Sequence, residues 1–224
     1  MKRLKQYINE NTKLTMKQNI LQSRDFIDFD CKKYIKETGG LKGFVYRGFT
    51  DISHSTGVND ILLKHKVRKD RKPRFIPPSI SDFISDWSKK KIGWDIRREG
   101  LFTGSKKTSQ IFSEGSQPPR AVFPIGDFKY VIMTKGQDLK DLYGIYDDAT
   151  FAYFPFDDEE YNSETQKQLI GLLKQYKKNK GMVRAVMNAG LSWECIINCD
   201  EYYTISMEMA DNYFKDWRKW NDAK

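Results

Sequence analysis

The sequence predicts an α+β domain, with helices in the first forty residues, antiparallel strands later, and one strong helix set among those strands. Three observations predict it. Apolar residues recur at helical spacing in two bounded stretches, Ile80, Phe83, Ile84, Trp87 and Leu169, Ile170, Leu172, Leu173, Tyr176. Short runs rich in β-branched and aromatic residues, such as Gly43–Phe49 and Phe128–Met133, are separated by turn residues. Aromatic residues make up 14% of the 224 residues, too many for a disordered chain and enough to build a core without disulfides. The chain divides into an N-terminal helical segment, residues 1–42, packed on a domain of residues 43–224.

Taken in order, Gln6 to Leu21 reads as a polar helix with weak periodicity. Ser23 is a candidate N-cap for a firmer helix carrying Phe26, Ile27, Tyr34 and Ile35, which Gly39-Gly40 stops. Gly43–Phe49 is a strand, and residues 50–78 read as a long basic loop. A helix starts at Ser79, with Asp82 completing a capping-box-like pattern, and ends at Lys89-Lys90-Lys91 before Gly93. Gly100–Ser105 is a strand running into a turn, and Thr108–Phe112 a short helix. Ala121–Pro124 and Phe128–Met133 flank the turn Pro124-Ile125-Gly126-Asp127 and predict a hairpin. A helix spans Ser163 to about Lys178, with Gln166 at its capping-box position. Trp193–Cys199 and Tyr202–Ile205 are strands, and Met207–Trp220 an amphipathic helix.

The composition excludes several classes. No apolar run approaches the ~20 residues of a membrane span, and the basic start Met1–Gln6 lacks the apolar stretch of a signal peptide. Three cysteines, Cys31, Cys195 and Cys199, argue for a reducing compartment, so a cytoplasmic location is expected. The two histidines, His54 and His65, stand apart from the cysteines, and no metal site is expected; Cys195 and Cys199 share a strand face with Trp193 and Ile197 and read as core. The sequence has no phosphate-binding loop, dinucleotide glycine fingerprint, nucleophile elbow or internal repeat.

Three strand segments each place a polar residue among apolar neighbours: Arg47 in Tyr46-Arg47-Gly48, Thr103 and Ser105 after Leu101-Phe102, and Glu194 after Trp193. Converging on one cleft, they would suit an anionic ligand with a reacting sugar. A guanidinium fork binds phosphate or ribose oxygens. Hydroxyls orient a carboxylate, and the carboxylate stabilises an oxocarbenium-like centre when a glycosidic bond breaks. Each residue also has an ordinary alternative. Arg47 would pair with a carboxylate at a sheet edge, Thr103 and Ser105 would be turn residues, and Glu194 would face solvent.

This order, Arg47, then Thr103-Gly104-Ser105, then Glu194 on a late strand, resembles the mono-ADP-ribosyltransferases, over roughly residues 43 to 206. The resemblance implies split antiparallel sheets behind N-terminal helices, NAD⁺ as substrate, and transfer of ADP-ribose to a macromolecule. It implies Arg47, Gly48, Thr103, Ser105 and Phe112 as NAD⁺ contacts, with Phe112 stacking on nicotinamide or else packing in the core. It implies Glu194, Arg47 and Ser105 as catalytic residues, and Ser192 and Trp193 beside the acceptor. Segments around residues 68–86, 100–105 and 122–127 also resemble tailed-bacteriophage proteins. The departures are Gly104 and Thr103 within the hydroxyl motif, and Ser192 where arginine-modifying members have Glu. The competing readings are therefore an inactive protein of this shape that binds without reacting, and a basic nucleic-acid-associated phage protein.

Net charge supplies the expected acceptor. Lys+Arg number 39 against 30 Asp+Glu, a balance of +9, and Lys64, Lys66, Arg68, Lys69, Arg71, Lys72 and Arg74 cluster in the basic loop. Such a cluster attracts a polyanion, so a nucleic acid or an acidic protein is expected as partner. Residues 182–190 read as an acceptor-facing loop whose Arg184 would repel an arginine target.

Overall fold

The structure, a computed structural model, describes residues 14–49, 55–69, 78–111, 113, 118–133, 163–188 and 193–215. Helix α1 (Met16–Asp30) is started by Thr15, whose side chain accepts from the Gln18 backbone while the Gln18 side chain returns to Thr15. That box replaces the N-cap expected at Ser23, which is buried inside α1 and donates its hydroxyl to the Asn19 carbonyl at 2.7 Å. After a break at Cys31, α2 (Lys32–Glu37) follows, and Gly39 and Gly40, with φ of 69° and 85°, close it.

The region expected to be a loop instead forms β2 (Thr56–Gly57) and β3 (Leu63–Lys66), after β1 (Val45–Arg47). Helix α3 (Pro78–Lys91) begins with proline at its first position, and Asp82 pairs with Arg98 rather than capping it. Next come β4 (Leu101–Gly104), α4 (Lys106–Ile111), β5 (Arg120–Pro124) and β6 (Lys129–Met133). Helix α5 (Ser163–Leu173) stops short of the expected Lys178, because Lys177–Lys178 form an edge strand, β7, against β6. Residues 182–187, expected as a loop, form α6 (Met182–Met187), whose Met182, Ala185 and Val186 are buried. Strands β8 (Glu194–Asn198) and β9 (Glu201–Ser206) and helix α7 (Met207–Tyr213) complete the described chain.

The nine strands make one antiparallel sheet in the order β2-β3-β9-β5-β1-β4-β8-β6-β7. Strands β5 and β6 are therefore not a hairpin: β5 pairs with β1 and β9, and β6 with β8 and β7. The turn itself is real, with Gly126 at φ 65°, but its amides donate outward, Gly126 to Asp30 and Ile125 to Glu201. This short link constrains the sheet. Crossing four strand spacings on a flat sheet needs about 19 Å. Pro124 to Lys129 is five Cα steps, which reach at most about 18 Å even when fully extended. With a turn inside the link, the sheet must curl.

The curl has a seam. Strands β1 and β4 share a single register pair, Tyr46 with Gly104, where the halves β2-β3-β9-β5-β1 and β4-β8-β6-β7 join. The sheet is thus one continuous surface that nearly divides, rather than two separate sheets. The larger core joins the halves around Tyr34, which is fully buried, packs edge-on to Phe123 and accepts from the Val45 amide at 3.0 Å. A second core lies where Ile80 and Ile84 of α3 and Leu169, Leu172 and Leu173 of α5 cover Val131, Met133 and Ile196.

Candidate functional site at the seam of the sheet

Arg47, Gly104 and Glu194 occur on β1, β4 and β8, three neighbouring strands, and the register sets Gly104 opposite both Tyr46 and Glu194. Gly104 is dictated by this closeness: a Cβ there would stand 2.6 Å from the Trp193 carbonyl oxygen. Just past the last β1–β4 pair, the half-buried Arg47 spans the diverging strands and donates one guanidinium N–H to the Phe102 carbonyl at 2.9 Å. Its Nε is enclosed and has no acceptor. Burial lowers its affinity for a proton, with Tyr202 acting weakly the other way, so an incoming anion would relieve a desolvated cation. Gly48 follows, half-buried, at the end of β1.

Glu194 is 4% exposed, lies opposite Met133 on its other side, and accepts from the Tyr176 hydroxyl. A carboxylate in such a place needs donors, because an unpaired buried charge is costly. Tyr176 supplies one, and sequence reasoning had treated it as core. The available signal was a hydroxyl ending an otherwise aliphatic stripe, Leu169 to Leu173.

The hydroxyls do something else. Thr103 pairs with Cys195, not Glu194, so it points to the opposite face of the sheet, and it donates to the Cys195 carbonyl at 2.7 Å. Ser105 is buried; its amide donates to the Trp193 carbonyl at 3.1 Å, and its Oγ accepts from the Thr108 amide at 3.1 Å. It is the N-cap of α4, which begins two residues earlier than expected. The structure therefore brings Arg47 and Glu194 onto neighbouring strands of the seam, but on opposite faces: Tyr46, not Arg47, shares the face of Gly104 and Glu194, and neither Thr103 nor Ser105 is bonded to the carboxylate. Trp193 is buried in the larger core, while Phe112 and Ser192 lie outside the described residues.

A second row of groups lies on the same half as Arg47. The Arg47 guanidinium sits over the Phe49 ring at 5.5 Å, Phe49 stacks on His65 at 5.3 Å, and His65 stacks on Tyr202 at 4.9 Å. Strand β3 turns His65 inward to face Tyr202, and its Nε2 meets the Thr204 Oγ1 at 2.8 Å. Burial, then the charges of Arg120 and Arg47, push the imidazole down to about 4.

The same alternation turns Lys64 and Lys66 the other way. Lys64 pairs with Glu201 at 2.7 Å and Lys69 pairs with Asp200; Lys66, Arg68 and Lys69 are exposed. Arg71, Lys72 and Arg74 lie outside the described residues. Cys31, Cys195 and Cys199 are buried free thiols, and burial raises all three pKa values. Among the described residues no group of three or more His, Cys, Asp or Glu is placed to hold a metal, and no helix is long and apolar enough to cross a membrane. Comparison with family models, with curated proteins and with solved structures returns no match.

Proposed function

We propose that the chain binds NAD⁺ at the seam between β1 and β4 and transfers its ADP-ribose to a macromolecule, as the mono-ADP-ribosyltransferases it resembles do. The observation that carries the reading is Arg47: a desolvated guanidinium at the seam, one N–H on the Phe102 carbonyl and an enclosed Nε without an acceptor. That donor suits a phosphate or ribose oxygen. Glu194, one strand beyond β4, stabilises the ribosyl cation as the bond from C1′ to the nicotinamide nitrogen breaks; nicotinamide leaves neutral with the bonding electrons. An acceptor hydroxyl, amide or ring nitrogen forms the new bond to C1′ and releases its proton to solvent. Tyr176 takes over the positioning of Glu194, the part that Thr103 does not play here. Exposed Lys66 and Arg68 favour a polyanionic acceptor, a nucleic acid or an acidic protein.

Binding without turnover is the second reading, favoured by the 4% exposure of Glu194 and by Thr103 facing away from it. Nicotinamide release from NAD⁺ separates the two. Turnover by the native protein, lost about a hundredfold or more in Glu194→Gln, supports transfer. Saturable NAD⁺ binding with no release supports the second reading, and neither binding nor release removes both.

A further inference from the structure

We propose that the pocket walled by β1, α4, α6 and α7 is a binding site for a short-chain carboxylate, held by the indole N–H of Trp193. The cavity has a volume of about 100 Å³. At about 30 Å³ per water in the liquid, that is the room of roughly three waters. Trp193, 3% exposed, lines it and has an Nε1 with no acceptor. A buried indole N–H ordinarily finds a partner, so an orphaned one beside a cavity marks where a ligand oxygen belongs. The charge of the lining agrees. Lys42, Lys106 and Lys215 oppose a single carboxylate, Asp211. Asp211 is already engaged, accepting from the Tyr46 hydroxyl at 3.0 Å on one oxygen and pairing with Lys106 on the other. The positive excess is thus left to an outside anion. Burial and the neighbouring Asp211 hold Tyr46 protonated, so its hydroxyl remains a donor to that carboxylate. Phe44, Val186 and Met187 complete the wall with apolar surface, which a bare phosphate would not use and an aliphatic tail would. The pocket adjoins the seam, since Ser105 and Trp193 line it, but neither Arg47 nor Glu194, on which the NAD⁺ reading turns, does so.

The test uses the full chain labelled with ¹⁵N, in which five tryptophans give indole N–H signals. Trp193→Phe assigns the relevant signal by its loss. Acetate, propionate and butyrate are titrated at constant ionic strength, with chloride as the control. The Trp193 signal is expected to move saturably, with affinity rising about fourfold per methylene up to butyrate. Octanoate, too long for the cavity, should break the trend. Should Trp193→Phe fail to fold, the Met187 methyl signal of the native protein, assigned with Met187→Leu, gives the same titration independently. Signals that stay still up to about 100 mM carboxylate, that move equally with chloride, or that ignore chain length overturn the proposal.

Discussion

His65 should make the protein lose stability in mild acid. The imidazole is stacked between Phe49 and Tyr202. Arg120 Nε donates to the Thr204 Oγ1 at 3.1 Å, and His65 Nε2 lies 2.8 Å from the same oxygen. Protonating the imidazole would add a buried positive charge beside two guanidinium groups. Folded His65 therefore binds its proton only near pH 4, against an ordinary value of 6.5. The unfolded chain takes up that proton first as pH falls through 6.5, stability declines from there, and the loss levels off below about 4. Applied to these two values, linkage gives a loss of about 2 kcal/mol between pH 7 and pH 5. Urea unfolding at the two pH values measures it, with His65→Phe as the variant that keeps a ring in the stack and removes the titration. The native protein should lose about 2 kcal/mol more than the variant over this interval. Equal pH dependence in both would refute the reasoning.

Gly104→Ala should destabilise the chain by about 1–3 kcal/mol in urea unfolding, because the added Cβ meets the Trp193 carbonyl rather than a yielding side chain. Tyr176→Phe takes a donor from the buried Glu194 and should cost about 1–3 kcal/mol. If Tyr176 positions Glu194, the same change lowers kcat for nicotinamide release while leaving KM nearly unchanged. Thr15→Ala removes the capping box of α1 and should cost about 1 kcal/mol, read from the urea midpoint.

Elements with strong local signals were legible in the sequence. The stop of α2 at Gly39-Gly40, the apolar stripe of α3 and the strands around Arg47, Thr103 and Glu194 stand where periodicity and turn chemistry set them. What was hidden is non-local. The turn at Gly126 has the residues of a hairpin, yet β5 pairs with β1 and β9, and β6 with β8 and β7. The basic run concealed β3, since Lys64-His65-Lys66 shows no apolar alternation. Only the opposing Tyr202 and Thr204 reveal that the histidine is the inward residue. At the site, the linear order of Arg47, Thr103 and Glu194 was readable. The face of each side chain was not, because that depends on a register fixed by the whole sheet. Pairing Thr103 with Cys195 rather than Glu194 reverses the role its sequence position suggested.

The central claim is that Arg47 presents an unfilled donor to an anionic dinucleotide at the seam. Calorimetric titration of NAD⁺ into the native chain and into Arg47→Lys tests it most directly, since lysine keeps the charge and loses the planar fork. Saturable binding to the native protein, weakened about tenfold or more in the variant, is the expected result. Absence of binding to the native protein, or equal affinity in the two, would contradict it.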